Sequence, residues 1–269
     1  MDDRLISVVD NYVRNGGRIL TTGATSINDG SGKPLNNIRL QALGVLPAYE
    51  NFPQAKSTYL KVSESDKNAL GKREFKDFTI MMVYSDFLKC KPRGKEAMGF
   101  LRLVPETKFG PPEKSYFSQH DITDVPGVIA NTFGKGKSVF IPWQLGTQYY
   151  FKGNYMHRAL FVGALQNILK FERTIITDGS PLIEMSHMAN RNKAFEWIGM
   201  INHTGQIGGS LREPVVIHNT TIRFKPMRPV KEIRLMRSAE GIPFTERNGW
   251  VECTIPTVKD FEMVVCLYR

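Results

Sequence analysis

The sequence contains little cysteine, and its few cysteines suggest neither a disulfide framework nor a zinc site. There are three in 269 residues, an odd number, and none stands in a CxxC pair. Cys253 and Cys266 lie in strand-like runs, where buried thiols are expected. A single disulfide between these two cysteines is the alternative. Cys90 has no flanking glycines of the kind that form a nucleophile elbow.

Long hydrophobic runs are also absent. No segment approaches the roughly 20 consecutive apolar residues of a membrane helix. The first residues include Asp2 and Asp3, where a signal peptide would carry positive charge. We therefore expect no membrane partner, and the sequence gives no compartment.

Signals for metals, cofactors and nucleic acids are equally sparse. GKGK at 134–137 has the character of a hairpin turn rather than a phosphate-binding loop. The net charge of +10 would suit an anionic partner, but lysine and arginine are scattered among acids, so a basic nucleic-acid adaptor is only a weak alternative. The histidines show neither HExxH nor HxH spacing, so the sequence predicts no metal site. They are His120, His157, His187, His203 and His218.

The beginning of the chain predicts one αβ unit of a parallel sheet. Apolar residues recur at helical spacing from Leu5 to Val13, Gly16-Gly17 ends the helix, and a short buried strand follows. This strand should end near Thr22. Ser26 and Asp29 lie in the next loop, at the edge where open α/β sheets place ligand sites.

Further along, the pattern becomes mixed. We expect a short helix at 37–45, strands at 57–62, 78–84 and 99–104, and a polar, exposed stretch at 63–77. Gly134-Lys135-Gly136 joins two apolar runs and predicts a hairpin, because glycine supplies the positive φ of a tight turn. An aromatic-rich loop at 144–154 and an amphipathic helix at 155–169 follow.

From residue 173 the chain reads as about seven short alternating strands, which are typical of a β-sandwich. The sequence therefore predicts an α/β domain at 1–172 followed by an all-β domain at 173–269. A flavodoxin-like layer would place strands before the first helix. We favour an incomplete flavodoxin-like α/β domain, truncated at its N-terminus, over a small mixed domain that is complete as it stands.

Several segments, in this order, resemble the β-galactosidase trimerisation domain and the β-domain that follows it. Residues 12–34, YVRNGGRILTTGATSINDGSGKP, lead into LQALGV, and residues 128–161 give VIANTFGKGKSVFIPWQLGTQYYFKGNYMHRALF. IGMINHTG at 198–205 and IPTVKDFEMVVCL at 255–267 resemble the C-terminal β-domain. The resemblance covers almost the whole chain and extends to bacterial glycosidases whose catalytic (β/α) barrel lies N-terminal to these domains.

The resemblance implies an accessory role. The trimerisation domain is similar in fold to class I glutamine amidotransferases but lacks their cysteine nucleophile, and this sequence likewise has none in the required context. The family's catalytic carboxylates sit in the barrel, so none is assigned here. The resemblance implies no catalysis by this chain alone, a homo-oligomer such as a trimer, and a barrel in the parent protein.

The acidic residues give no independent catalytic pair. Glycoside hydrolysis needs two carboxyl groups facing each other across the scissile bond. Most acids lie in polar stretches, and Glu184, Glu196 and Glu262 lie in predicted strands where they could equally face solvent.

The strongest candidate for ligand contact is the aromatic segment after the predicted hairpin. Aromatic faces stack on sugar C–H surfaces, and arginine or histidine can hydrogen-bond hydroxyl groups. The alternative is that these residues pack a domain interface; in oligomers that resemble this family, such loops can also wall a neighbouring subunit's pocket. A stand-alone carbohydrate-binding protein is thus the second hypothesis, using Trp143, Gln144, Tyr149, Tyr150, His157 and Arg158.

Overall fold

The computed structural model describes residues 1–105, 122–190, 192 and 194–269. These residues fall into two compact units, Met1–Glu172 and Arg173–Arg269. The chain is mostly β, with several separate sheets. Among the described helices, none has the length and apolar character needed to cross a membrane.

The first unit begins with the predicted helix, glycine turn and strand. Helix α1 spans Asp3–Arg14, and the Asp2 side chain caps it by accepting a backbone hydrogen bond at 2.7 Å. The chain then passes through Gly16, whose φ of +111° favours glycine. Strand β1, Arg18–Thr22, ends where the sequence predicted.

Helix α1 has two apolar faces, and only one is covered within the unit. Ile6 and Val13 are buried. The opposite face carries Leu5, Val8 and Tyr12, whose exposed fractions are 47%, 56% and 55%. Such positions are polar on an ordinary surface helix, so this outer face of α1 is an apolar surface open to solvent.

Five more strands complete the sheet of this unit: β2 Glu50–Lys61, β3 Ile80–Lys89, β4 Ala97–Val104, β5 Pro126–Phe133 and β6 Gly136–Ile141. Their order is β1-β6-β5-β4-β2-β3, which places β1 at one edge. The β1–β6 pair is parallel and the other pairs are antiparallel. The parallel, flavodoxin-like sheet expected from the sequence is therefore limited to one pair of strands, because parallel neighbours need long crossovers and this chain uses shorter returns.

The glycine hairpin is confirmed. Strands β5 and β6 pair with Phe133 opposite Gly136, and Gly134 has a φ of +63°. A Cβ atom on Gly134 would lie 2.5 Å from the carbonyl oxygen of Arg14, so the turn packs tightly on the end of α1. Glycine is needed there both for its conformation and for this close approach.

Two segments expected to be polar or irregular are instead helical. Helix α2, Glu64–Leu70, has a capping box formed by Ser63 and Asp66. Its Leu70 is fully buried, so the stretch at 63–77 is not a simple exposed loop. Helix α3, Leu145–Lys152, takes the place of the predicted aromatic loop.

The remaining elements of the first unit are close to the predictions. Helix α4, Tyr155–Gly163, continues as a π-helical segment, Ala164–Ile168, which confirms the helix expected at 155–169. The helix expected at 37–45 is a single 3₁₀ turn, Gln41–Leu43, closed by Gly44 at a φ of +68°. The strands predicted at 57–62 and 78–84 overlap with β2, which ends at Lys61, and with β3, which begins at Ile80.

The described residues of the second unit contain strands and no helix. The strands are β7 Ile175–Thr177, β8 Ile183–Ala189, β9 Phe195–Asn202, β10 Gln206–Ile207, β11 Ser210–Leu211, β12 Ile217–Phe224, β13 Val230–Leu235, β14 Gly241–Ile242, β15 Phe244–Arg247, β16 Trp250–Val258 and β17 Phe261–Tyr268. They form a four-stranded sheet, β15-β16-β12-β7, a five-stranded sheet, β14-β13-β17-β9-β8, and the hairpin β10-β11. They outnumber the predicted strands because two-residue strands leave no alternation to detect.

Residues from both large sheets form one hydrophobic core in this unit. Ile222 and Val251 of the four-stranded sheet belong to the same buried cluster as Ile198 and Val264 of the five-stranded sheet. Buried and exposed residues alternate along β16, as expected for a strand with one face on a core.

The cysteines are small buried residues rather than reactive groups. All three are free, so the alternative of a disulfide between Cys253 and Cys266 is not what the structure shows. Burial raises the pKa of the Cys90 and Cys253 thiols to about 12 and also raises the pKa of Cys266. The thiols therefore stay protonated near neutral pH.

Candidate functional site

Trp143, the first residue of the aromatic segment, belongs to the core of the first unit. Its side chain is fully buried, and its Nε1 donates a hydrogen bond to the carbonyl oxygen of Gly127 at 3.0 Å. The ring meets the His157 imidazole edge to face, with centroids 5.5 Å apart. This placement fits the packing alternative, because no face of the indole is open to a sugar.

His157 lies in the same buried region. Its Nε2 atom is 2.8 Å from the carbonyl oxygen of Met82, and the side chain is fully buried. Burial lowers the pKa of His157 below its usual value, against the opposing effect of the hydrogen bond to Met82. The imidazole is therefore neutral at pH 7 and supplies no charge to the surface. His120 lies outside the described residues.

The other aromatic residues of the segment lie on helix α3. Leu145 is buried and holds the start of this helix against the core. Tyr149 is 44% exposed and Tyr150 is 82% exposed. The Tyr150 and Phe151 rings meet edge to face at 5.1 Å, so α3 presents aromatic surface to solvent.

A cavity of about 510 Å³ lies beside α3. We refer to it as the α3 pocket; it is lined by Tyr84, Ser85, Asp86, Gln144, Thr147, Gln148, Phe151 and Lys152. The lining combines two aromatic rings, two amides, hydroxyl groups and one charge of each sign. Of the residues predicted from the sequence, this pocket contains Gln144.

The polar groups of the α3 pocket are partly organised by each other. The backbone N–H of Gln144 donates to the Ser85 hydroxyl at 3.3 Å, and the Lys152 ammonium lies 5.4 Å from the centre of the Tyr84 ring. Gln148 is 5% exposed and its Nε2 donates to the Tyr84 carbonyl oxygen. Its buried Oε1 has no hydrogen-bond partner among the described residues, so this amide keeps an unused acceptor beside the pocket.

Ser26 and Asp29 mainly shape the loop after β1. Ser26 is buried, and its hydroxyl accepts backbone hydrogen bonds from Arg39 and Leu40 at 3.2 Å each. The Asp29 carboxylate accepts hydrogen bonds from Ser31 and Lys33, and these bonds, led by that of the Ser31 hydroxyl, lower its pKa. Asp29 thus satisfies backbone groups of its own turn, as short polar residues commonly do in loops, whereas Ser26 connects the start of this loop to residues 39 and 40.

The sheet edge predicted for a ligand site is only partly assembled. A Cβ atom on Gly23, directly after β1, would lie 3.3 Å from Cγ of Gln144, so the two loops meet at that point. Arg158 is exposed on α4 but does not line the α3 pocket. Of the predicted residues, the structure thus places Gln144 alone in this cavity.

Sequence reasoning missed most of the α3 pocket. The residues Gln144, Thr147, Gln148, Phe151 and Lys152 follow helical i, i+3, i+4 spacing, which is the signal for one helix face. Gly146 and Gly153 made the segment resemble a loop. Tyr84 was assigned to a strand, but nothing local indicated that α3 would pack beside it.

Several carboxylates in predicted strands are buried structural acceptors. Glu196 is fully buried, pairs with His187 Nε2 at 2.7 Å, and accepts the backbone N–H of Met227 at 3.2 Å. Glu262 is 4% exposed and accepts the backbone N–H of Arg237 at 3.1 Å. Neither of these two acids faces solvent. This corrects the expectation that Glu196 and Glu262 could equally well be solvent-facing residues of their strands.

No group of three or more potential metal ligands occurs in the part of the chain that the structure describes. The carboxylates of Asp29, Glu196 and Glu262 accept hydrogen bonds from backbone or side-chain donors. The α3 pocket is lined by polar and aromatic side chains.

The fold of this chain is shared with part of larger glycoside hydrolases. The α-L-fucosidase isoenzyme 2 from Paenibacillus thiaminolyticus matches 100% of this chain with a TM-score of 0.72 and 16% identity. Gan42B, a GH42 β-galactosidase from G. stearothermophilus, matches 100% of this chain with a TM-score of 0.59 and 14% identity. The β-galactosidase from Bacillus circulans sp. alkalophilus matches 99% with a TM-score of 0.57 and 13% identity.

This chain spans only 39%, 30% and 31% of those three chains, respectively. No protein-family model and no curated protein matches the sequence. At these identities the likeness concerns fold. The chain therefore has the fold of a portion of glycoside hydrolase chains.

Proposed function

We propose that this chain is a non-catalytic accessory and oligomerisation region of a β-galactosidase-like glycoside hydrolase. The observation that carries the proposal is coverage: the whole chain matches about two fifths of a fucosidase chain and a smaller part of β-galactosidase chains. The parent protein would supply a catalytic (β/α) barrel. The first unit would be a trimerisation-type, flavodoxin-like domain reduced to a single parallel strand pair.

The surface of the first unit supports a role in association. The outer face of α1 exposes Leu5, Val8 and Tyr12, and β1 lies at the sheet edge beyond its pairing with β6. An apolar helix face next to a strand edge is a surface that proteins commonly cover. We propose a second copy of the chain as the partner at this surface.

Substituting both Leu5 and Val8 with glutamate is expected to convert an oligomer into monomers, because two charges would be buried at the contact. Light scattering coupled to size exclusion measures the mass directly. Leu211→Glu is the matched control, since Leu211 is an apolar residue of the second unit and is 83% exposed. A wild-type chain that is monomeric at all concentrations tested would contradict the oligomerisation role.

The non-catalytic part of the proposal has a separate test. The purified chain should release no product from aryl fucosides or galactosides above the buffer blank. Asp86 and Glu252 are carboxylates that line cavities, so Asp86→Asn and Glu252→Gln are the variants to compare with the wild type. Turnover by the wild type that either substitution abolishes would overturn the proposal.

A second candidate is a carbohydrate-binding protein that acts alone through the α3 pocket. Its support is the combination of Phe151, which is 72% exposed, with the unpartnered Oε1 of Gln148. Stacking and hydroxyl hydrogen bonds together are what sugar recognition requires. In this hypothesis Gln144 contacts the sugar, whereas the buried Trp143 and His157 do not.

Calorimetry against a panel of neutral oligosaccharides tests this second candidate. Phe151→Ala is expected to weaken binding about tenfold, equivalent to about 1.4 kcal/mol of lost stacking. Tyr149→Ala is the control, because Tyr149 lies on the same helix but does not line the pocket. The candidate is rejected if no oligosaccharide releases heat or if both variants behave alike.

A further inference from the structure

Helix α3 carries three aromatic residues in succession, Tyr149, Tyr150 and Phe151, with exposed fractions of 44%, 82% and 72%. Successive residues of a helix point in directions about 100° apart, so the three rings do not share one face. The buried side of this helix is formed instead by Leu145 and Gln148. Because exposed aromatic rings in a cluster usually mark a binding surface, core packing does not account for this segment.

Two of these rings form a surface that continues from the α3 pocket outward. Phe151 lines the pocket, and its ring meets the Tyr150 ring edge to face with centroids 5.1 Å apart. Both side chains stay largely exposed in this arrangement, so the contact between them leaves ring surface open to a ligand. Tyr150 therefore extends the aromatic surface beyond the pocket lining.

The third aromatic residue at the pocket has a different role. The Lys152 ammonium lies 5.4 Å from the centre of the Tyr84 ring, within the range of a cation–π contact. One face of Tyr84 is thus already occupied by a side chain of α3. Stacking on a ligand is accordingly assigned to Phe151 and Tyr150.

Polar groups on the same face of α3 indicate what kind of ligand suits these rings. Gln144, Thr147, Gln148 and Phe151 follow one another at intervals of three or four residues or less and line the pocket together. Gln148 is 5% exposed, and its Nε2 donates to the Tyr84 carbonyl oxygen, which fixes the orientation of the amide. Its buried Oε1 has no partner among the described residues and requires a donor. A ligand rich in hydroxyl groups supplies donors, whereas an apolar protein or membrane surface does not.

The two ends of α3 differ in what lies beyond them. At the start of the helix, a Cβ atom on Gly23 would lie 3.3 Å from Cγ of Gln144, so the loop after β1 borders this end. At the other end, a Cβ atom on Gly153 would meet no atom of the described residues within 4 Å. Tyr150 and Phe151 lie toward this open end. A chain-like ligand therefore has room to extend past Phe151.

We propose that α3 binds an oligosaccharide chain in one direction. The terminal sugar unit occupies the α3 pocket against Phe151, and the units that follow stack on Tyr150. This inference rests on the second candidate function above, to which it adds Tyr150 as a ligand contact and chain length as a determinant of affinity. Each sugar that reaches an aromatic ring gains a stacking contact, and the gain ends where the rings end.

Calorimetry with the full chain tests the proposal on β-1,4-linked galacto-oligosaccharides of one to five units, with cello-oligosaccharides as a second series. Affinity in a series that binds should rise about tenfold from the monosaccharide to the trisaccharide and then level off. Tyr150→Ala should remove this gain, lowering the affinity for the trisaccharide about tenfold and leaving that for the monosaccharide unchanged. Phe151→Ala should weaken binding at every length.

Two further variants separate stacking from other effects. Tyr150→Phe keeps the ring and should bind the trisaccharide like the wild type. Tyr149→Ala should change nothing, because Tyr149 belongs neither to the pocket lining nor to the Tyr150–Phe151 pair. Thermal unfolding of each variant should match that of the wild type, since the substituted side chains are at least 44% exposed.

The proposal is overturned if sugars bind with the same affinity at every length, or if Tyr150→Ala binds the trisaccharide normally. Either result leaves the carbohydrate-binding candidate in place. Absence of binding in both series rejects that candidate together with the proposal. A change in the mass of the assembly in Tyr150→Ala, with sugar affinity unaltered, would assign the aromatic surface to a contact between copies and also overturn the proposal.

Discussion

Replacing Trp143 with alanine is expected to lower the free energy of unfolding of the first unit by about 3–5 kcal/mol, the usual cost of removing a buried large aromatic side chain. Trp143 is fully buried among the core residues of this unit, and its indole N–H is paired with the Gly127 carbonyl. The substitution leaves a cavity and an unpaired acceptor. Hydrogen exchange of β5 and β6 during urea titration measures the loss in this unit alone.

Tyr150→Ala is the matched comparison for Trp143→Ala, because both residues belong to the same aromatic segment. Tyr150 is 82% exposed, so its removal should change stability by no more than about 0.5 kcal/mol. If the two substitutions had similar small effects, Trp143 would not be part of the core. A normal fold with loss of sugar binding in Trp143→Ala would restore it as a ligand contact.

Removing the Glu196 carboxylate is the second large effect. Glu196→Ala should destabilise the second unit by about 3–5 kcal/mol, because it leaves buried donors without an acceptor. The carboxylate is fully buried and holds His187 at 2.7 Å and the Met227 N–H at 3.2 Å. Hydrogen exchange in β9 and β17 reports the loss in the second unit.

The same sheet supplies a control with the same chemistry. Glu184 pairs with His203 at 3.0 Å, but its side chain is 65% exposed. Glu184→Ala should therefore cost at most about 1 kcal/mol, because contacts between exposed side chains contribute little to stability. Equal effects of the two substitutions would show that burial does not determine the contribution of the Glu196 pair.

These two comparisons bear on how each of the two units is stabilised. Each unit has its own buried cluster, and each uses buried polar residues to satisfy backbone and side-chain groups. The surfaces left for function lie outside the cores and include the outer face of α1 and the α3 pocket. Each is addressed by a separate variant, so the roles can be assigned independently.

Local patterns in the sequence determined the elements whose signals are local. Gly16-Gly17 and the spacing from Leu5 to Val13 determined the end of α1, and Gly134 determined the β5–β6 turn. Alternation determined the long strands of the second unit. These features depend on backbone conformation and periodicity, which neighbouring residues control.

The tertiary structure alone decided which chemical groups are available. Trp143 and Tyr150 both come from one aromatic segment, yet only Tyr150 faces solvent, because β5 supplies the Gly127 carbonyl that the buried indole requires. Likewise, Glu196 and Trp250 both lie in alternating strands, but the core covers the first and leaves the second in an open pocket. Burial depends on contacts between residues distant in sequence, so periodicity predicts the elements but not which side chains remain available to a ligand.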